Sequence, residues 1–344
     1  MVVEREYTEP VDECDARGRL NPAARGWSRQ PLLNANLRGR RGRKKRWDYW
    51  NVNSPDVVVG MVYADIDYAG LANVWVMEHA SAREATAGKL VPFARGFRMP
   101  ERVCTGSVLH EAKGFRLSID ETDDATRLRA AGTAKGGVAI DVDVSVAKPA
   151  GHESLHVMIP WSDRLFQFTS KQNTRPATGH VRIGDTTWPI GDDAWGTQDL
   201  GRGVWPYSNR WNWASASGHN ADGRLVGLQF GGKWTVGTGA TENALCLDGR
   251  LTKVSEELEW TYDWGNPMAP WRARTAGTAP DAPGFVDATL TPTFDRYDVT
   301  DLKVLRMEVH QCFGTWAGRV VGDDGVAVEF EGIRGFAEEA RNKW

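Results

Sequence analysis

Alternation with a period of two is the feature that most constrains this chain. In Val57-Val58-Val59-Gly60-Met61-Val62-Tyr63-Ala64-Asp65-Ile66-Asp67, the residues Met61, Tyr63, Asp65 and Asp67 share one face, and Val62, Ala64 and Ile66 share the other. Val138, Ile140, Val142, Val144 and Val146 alternate with Ala139, Asp141, Asp143 and Ser145 in the same way. Residues 225–230, 244–247, 287–290 and 302–309 also read as strands, and Asp248-Gly249 and Asp324-Gly325 read as turns between them. Long amphipathic helices are nearly absent. Residues 82–87 are too few for one, and residues 336–343 read as a terminal turn of helix. The class is therefore all-β, with antiparallel strands that suggest barrels or sandwiches.

The chain has 344 residues, enough for two domains. A faint internal repeat supports two. Arg46-Trp47-Asp48-Tyr49-Trp50 leads into the first alternating strand, and Arg210-Trp211-Asn212-Trp213 leads into Leu225-Val226-Gly227-Leu228. Gln172 precedes Gly179-His180-Val181 by seven residues, as Gln311 precedes Gly318-Arg319-Val320. Pro176, Gly179, Gly184 and Pro189 cluster where a boundary is expected. The expected division is an N-terminal arm over 1–36, a first β domain over 37–180 and a second over 181–344. Residues 38–46 hold seven positive charges in nine positions and read as an exposed, solvated loop.

A net charge of −3 argues against general affinity for nucleic acid or membrane surfaces. No apolar run approaches the ~20 residues of a spanning helix. The N-terminal residues lack a basic region followed by an apolar stretch, so no signal peptide is visible. The four cysteines, Cys14, Cys104, Cys246 and Cys312, form no CxxC pair. A zinc site or disulfide framework is not indicated, and a cytoplasmic location is expected. The residues do not indicate an oligomeric state.

The segment from Gly191 to Trp213 packs three aspartates, two arginines and four tryptophans into 23 residues, with four glycines among them. A buried acid must be paired or protonated, and an aromatic wall around such groups is the usual composition of a small-molecule pocket. Glycine weakens a plain strand, so the segment must bend. Asp193 and Asp199 are candidate acids; Arg202 and Arg210 are their candidate partners. Trp195, Trp205, Tyr207, Trp211 and Trp213 are the expected wall. Glu242 follows a Gly-rich turn and is a third candidate acid. Tyr63 and Asp65 on the first alternating strand, and His310 beside Gln311, complete the set. Each also has a structural reading: an Arg–Asp pair that locks a loop, a satisfied histidine, an ordinary strand face. No GxSxG, Rossmann fingerprint, phosphate loop or HxH is present, and neither a cofactor nor a metal is expected.

Several motifs resemble a bacterial family known as domain of unknown function 2804. They are Lys45-Arg46-Trp47-Asp48-Tyr49-Trp50, Ala64-Asp65-Ile66-Asp67-Tyr68-Ala69-Gly70-Leu71, Asp199-Leu200-Gly201-Arg202-Gly203-Val204-Trp205-Pro206-Tyr207, Thr241-Glu242-Asn243-Ala244 and Glu308-Val309-His310-Gln311. More remotely, Asp193-Ala194-Trp195-Gly196-Thr197-Gln198-Asp199 resembles a segment of tandem lipocalin-like proteins, a group with carotenoid hydratases, tocopherol cyclases and Diels–Alder cyclases. Residue 194 is Ala where many of those relatives carry a polar residue. The resemblance implies two calycin-type antiparallel barrels in tandem, a site between or within them, lipophilic ligands and metal-free chemistry.

The expected function is cofactor-free acid–base catalysis on a small lipophilic substrate, of hydratase, cyclase, isomerase or lyase type. The alternatives are a non-catalytic carrier of a lipophilic ligand and a glycoside-active enzyme with paired carboxylates.

Overall fold

The computed structural model describes residues 4–301 and 305–344. Strands dominate. The helical element among the described residues is a single 3-10 turn, Pro22–Ala24, capped by the Asn21 side chain, which accepts from the Ala23 N–H. The N-terminal arm carries β1 (Val11–Asp12), β2 (Trp27–Ser28) and β3 (Leu33–Asn34). Twelve strands follow: β4 (Lys44–Asn53), β5 (Val57–Asp65), β6 (Ala69–Glu78), β7 (Glu84–Pro92), β8 (Ser107–Ala112), β9 (Phe115–Glu121), β10 (Ala125–Thr133), β11 (Ala139–Ala147), β12 (Leu155–Pro160), β13 (Phe166–Ile183), β14 (Thr186–Ile190) and β15 (Trp195–Val204). The last nine are β16 (Ser208–His219), β17 (Leu225–Gly232), β18 (Asn243–Leu247), β19 (Arg250–Val254), β20 (Glu259–Thr261), β21 (Trp271–Arg274), β22 (Val286–Asp301), β23 (Arg306–Val321) and β24 (Ala327–Lys343).

Apart from β1 and β3, which pair with each other in parallel, these strands form two curled antiparallel sheets. The first runs β7-β6-β5-β4-β15-β13-β11-β10-β9-β8, with β12 and β14 on β13 and β2 on β12; the second runs β19-β18-β17-β16-β24-β23-β22-β21-β20. Each curls like half a barrel around its own apolar core. Val59, Met61, Tyr63, Leu117, Val142 and Val181 fill the first. Leu228, Phe230, Trp271, Leu290, Trp316 and Ala337 fill the second. The alternation seen in the sequence therefore sorts core from outer face, strand by strand.

Long strands make the curl. In β13 a bulge between Gln172 and Arg175 interrupts the pairing with β15, which ends at Pro176 before the strand passes to β11 at Ala177. Beyond it, Gly179 has φ +138°, and a Cβ there would lie 2.1 Å from the Asp143 carbonyl oxygen. In β23, Gly318 has φ +157°, and its Cβ would lie 2.2 Å from the Asp287 oxygen. The sequence repeat thus recurs as one backbone kink in both sheets. The glutamines of that repeat diverge. Gln172 turns inward to bond Gln198 and Arg175, whereas Gln311 turns outward toward Tyr49.

Several expectations change at this level. The chain passes from the first sheet to the second between Val204 and Ser208, not near residue 181. The Pro/Gly cluster at 176–190 serves the kink of β13 and the β13–β14 hairpin instead. Residues 336–343 are the end of β24, not a helical turn. Of the strand expected at 302–309, residues 302–304 lie outside the described residues, and the rest enters β23 at Arg306.

The basic run 38–46 is exposed only at its start. Lys44 and Arg46 pair with Asp67 and Asp65. Lys45 is buried over the Tyr68 ring at 4.3 Å, and burial pulls its pKa down to about 8. The arm is tied down as well. Cys14, Leu20 and Leu33 pack on Phe166, Phe168 and Leu200, and Glu4 reaches Lys253 of the second sheet at 2.6 Å.

Candidate functional site

The two sheets meet through the faces turned away from their cores. Val58, Trp75, Met77, Trp213, Phe313 and Phe336 form one contact between them. Val157, Ile159, Trp205, Trp234 and Leu251 contribute to another. Polar bonds lock the seam: Asn173 Nδ2 donates to the Leu228 carbonyl at 2.9 Å, and the Thr174 N–H donates to Ser217 Oγ at 2.9 Å. Between the contacts lies a cleft of about 640 Å³. The first sheet supplies Trp47, Tyr49, Val62, Ala64, Ile66 and Trp75; the second supplies Trp211, Trp213, Val309, Gln311 and Glu338. Seven of the chain's 16 tryptophans line the cleft, the others being Trp205, Trp234 and Trp344. Trp205 and Trp234 stack at 5.3 Å with 9° between their planes.

Charge is concentrated at one end of this aromatic space. Lys171 on β13 points from the first sheet into the cleft. Its Nζ lies 3.0 Å from Asp199 Oδ2 and 3.0 Å from Glu242 Oε1. The same ammonium sits 4.0 Å from the centre of the Trp213 ring. Lys171 and Glu242 are almost wholly enclosed, and Asp199 is partly so. Thr169 Oγ1 donates to Asp199 Oδ1 at 3.3 Å, and Trp234 Nε1 donates to Glu242 Oε2 at 3.1 Å. A third acid, Glu338 of β24, accepts from Trp211 Nε1 at 2.8 Å through Oε1.

Two carboxyls share one ammonium and the third lies within reach of its charge, so they cannot all be ionised without cost. Burial pushes both Glu242 and Glu338 up to about 7, opposed by the Lys171 charge and the indole donors and reinforced by Asp199. The charges of Asp199 and Glu242 in turn hold Lys171 protonated against its own burial, with a raised pKa. The cluster thus holds an exchangeable proton near neutral pH, facing apolar walls.

A family model described as domain of unknown function (DUF2804) matches residues 4–344. The chain belongs to the DUF2804 family. No curated protein matches it. Its likenesses to solved structures are remote. Kievitone hydratase from Nectria haematococca is 12% identical, with 99% of this DUF2804 chain and 97% of that chain covered and a TM-score of 0.48. A putative AttH from Nitrosomonas europaea is 12% identical, with 86% and 92% covered and a TM-score of 0.46. CghA, solved with Sch210972, is 12% identical, with 88% of each chain covered and a TM-score of 0.42.

The structure brings some of the sequence-derived candidates together and separates others. Asp199, Glu242, Trp205, Trp211 and Trp213 of the DUF2804 chain all border the cleft. Asp193 does not; it sits in a left-handed turn, paired with Arg334 and with the Trp195 N–H. Trp195 packs edge-on against His219. Arg202 lies on the opposite face of β15 from Asp199 and donates to the Trp47 carbonyl at 2.7 Å. Arg210 and Tyr207 are exposed outside the cleft wall. Tyr63 belongs to the first core, 4.6 Å from Phe97, and Asp65 is held by Arg46. His310 bonds Asp295 at 2.7 Å.

The polar face read from the first strand therefore turns to the core, and the apolar face of Val62, Ala64 and Ile66 turns to the cleft. Sequence reading missed Lys171 and Glu338. The available signal for Glu338 was parity: read as a strand, residues 336, 338 and 340 share one side.

Among the described residues no three His, Cys, Asp or Glu side chains converge as a metal site requires. No helix among them is long and apolar enough to cross a membrane.

Proposed function

We propose that this chain is an acid–base enzyme whose substrate is small and largely apolar and binds in the cleft between the two sheets. The observation that carries the proposal is Lys171, shared at 3.0 Å by Asp199 and Glu242, with the buried acid Glu338 beside them in a cleft walled by indoles. Glu338 is the proton donor in this reading. Among the described residues one of its oxygens is engaged, and its raised pKa keeps it protonated to about pH 7. Asp199, held by Lys171 and Thr169, is the base. Glu242 shares the ammonium with it and balances its charge.

In the hydration direction, the Glu338 O–H bond breaks and its proton adds to an alkene carbon. Water oxygen then bonds to the cationic carbon, and its surplus proton passes to the Asp199 carboxylate. The reverse sequence expels water. Proton loss to Asp199 from a neighbouring carbon, without water addition, gives isomerisation. Capture of the cation by an internal double bond, followed by the same proton loss, gives cyclisation.

The two alternatives are less well supported. A carrier of the single-barrel kind holds its ligand inside the curl, yet both curls are filled by apolar side chains. A ligand carrier also has no use for three clustered acids. A glycosidase needs two carboxyls facing each other across a sugar. Here one ammonium ties Asp199 and Glu242 together on one side, and the lysine occupies the space between them.

The test begins with protein purified from its native host, whose bound ligand is identified by mass spectrometry. That ligand and its relatives are then assayed for gain or loss of water or for isomerisation. Glu338→Gln and Asp199→Asn should each lower kcat by about 100-fold or more with the melting temperature held or raised. Turnover at the wild-type rate in both variants would contradict the assignment.

A further inference from the structure

Arg296 is the cleft's second cation, and its charge is unmatched. Lys171 is matched twice over by Asp199 and Glu242. Arg296 on β22 also borders the cleft, lying 4.5 Å above the Trp75 ring. Among the described residues its one hydrogen bond runs from Nη1 to Gln311 Oε1 at 3.3 Å, and no carboxylate lies within ion-pair distance. Gln311 is itself tied across the cleft, donating to the Tyr49 hydroxyl at 3.5 Å. The guanidinium is thus oriented by an amide and an indole, neither of which neutralises it. A half-buried arginine beside apolar walls normally has an anionic partner, since a fork of donors facing a low-dielectric space is costly when unmatched.

The acids nearest the mouth do not fill that role. Glu308 is taken by Arg306 at 2.8 Å and by the Tyr297 hydroxyl at 3.0 Å. Glu84 accepts from Trp75 Nε1 at 2.6 Å. Asp298 lies exposed to solvent.

The geometry points to Arg296 as the subsite for a carboxylate carried by the substrate, which makes that substrate an apolar, ring-bearing acid rather than a neutral lipid. This rests on the acid–base reading of the cleft and narrows it to a substrate class. Trp75 and Tyr49 flank the subsite, so the ring system next to the carboxylate would stack there while the reacting carbon reaches Glu338.

The placement also has a chemical consequence. The Arg296 charge pulls the Glu338 carboxyl down, against burial. A substrate carboxylate seated on Arg296 cancels that pull. Glu338 then holds its proton more firmly once substrate is bound than in the free protein.

The test uses two probes of one shape, naphthoate and naphthamide, titrated into the full-length protein while tryptophan emission from the cleft is followed. Wild type should bind naphthoate about tenfold or more tighter than naphthamide, the range for a charge-assisted bidentate pair. Arg296→Gln should abolish the preference. Arg296→Lys, which keeps the charge and loses the fork, should retain part of it. Glu338→Gln should keep it. Equal affinity for the two probes, no saturable binding of naphthoate, or a preference that survives Arg296→Gln overturns the inference. Those results leave the acid–base reading intact if turnover still depends on Glu338. A preference that stands while Glu338→Gln turns over normally removes the acid–base reading and spares the carboxylate subsite.

Discussion

At the scale of single residues, the cleft is governed by how many protons three carboxyls can hold around one lysine. Glu242 and Glu338 stand at about 7 because burial disfavours their charge. A carboxyl whose folded pKa lies above its unfolded value keeps a proton that the unfolded chain has released. Its contribution to stability is complete below the unfolded value and is lost as pH climbs through about 7. Buried His152 and His156, held down to about 4 and 3 by desolvation, act in the opposite sense. Their effect is confined to pH below their unfolded value of about 6.5. Between about pH 6.5 and 8 the carboxyls set the slope, so thermal stability should fall across that window. Glu338→Gln, which cannot ionise, should fall less steeply in scanning calorimetry at matched pH values. Parallel slopes would show that Glu338 is ionised already at the start of the window.

At the scale of strands, the two kinks in β13 and β23 set the curl that lets each sheet wrap a core on one face and present a cleft on the other. Gly179 and Gly318 sit where a Cβ would strike a partner-strand carbonyl. Gly179→Ala and Gly318→Ala should each cost about 1–3 kcal/mol in denaturant unfolding. Wild-type stability in either would mean that the kink relaxes freely. The strands themselves were legible in the sequence because a half-buried strand must alternate, and residues 57–65 and 139–147 alternate clearly. Which face is core was not legible. The carboxylate of Asp65 suggested a polar face, but Arg46 satisfies it at the strand end, and the rest of that face is core. Residues 336–343 failed for a related reason. Both Glu338 and Glu339 are enclosed on opposite faces of one strand, Glu339 against Lys233 and Arg341, so no alternation survives there. Lys171 escaped notice because its partners are 28 and 71 residues away in sequence. Strand pairing sets Asp199 opposite it on β15, and only the packing of the two sheets brings Glu242 to it.

At the scale of the whole molecule, the site exists only because two sheets are joined. The first sheet brings Lys171 and Asp199; the second brings Glu242 and Glu338. Glu242 itself sits just before β18, at the end of the turn that follows β17. Glu242 of the second half finds its cation, Lys171, on the first, and the indoles that exclude water come from both. The sequence placed much of this aromatic wall, since Trp205, Trp211 and Trp213 straddle the passage between the sheets. The central claim is that this shared cleft stores a proton on a buried carboxyl at neutral pH. Infrared spectroscopy of the protonated carboxyl stretch, recorded as a pH titration on wild type, Glu338→Gln and Glu242→Gln, tests it without knowledge of the substrate. The account predicts a band of a buried, protonated carboxyl that titrates near pH 7 and loses intensity in Glu338→Gln. A spectrum of the wild type with no such band at pH 6, or a band unchanged by both substitutions, would contradict it.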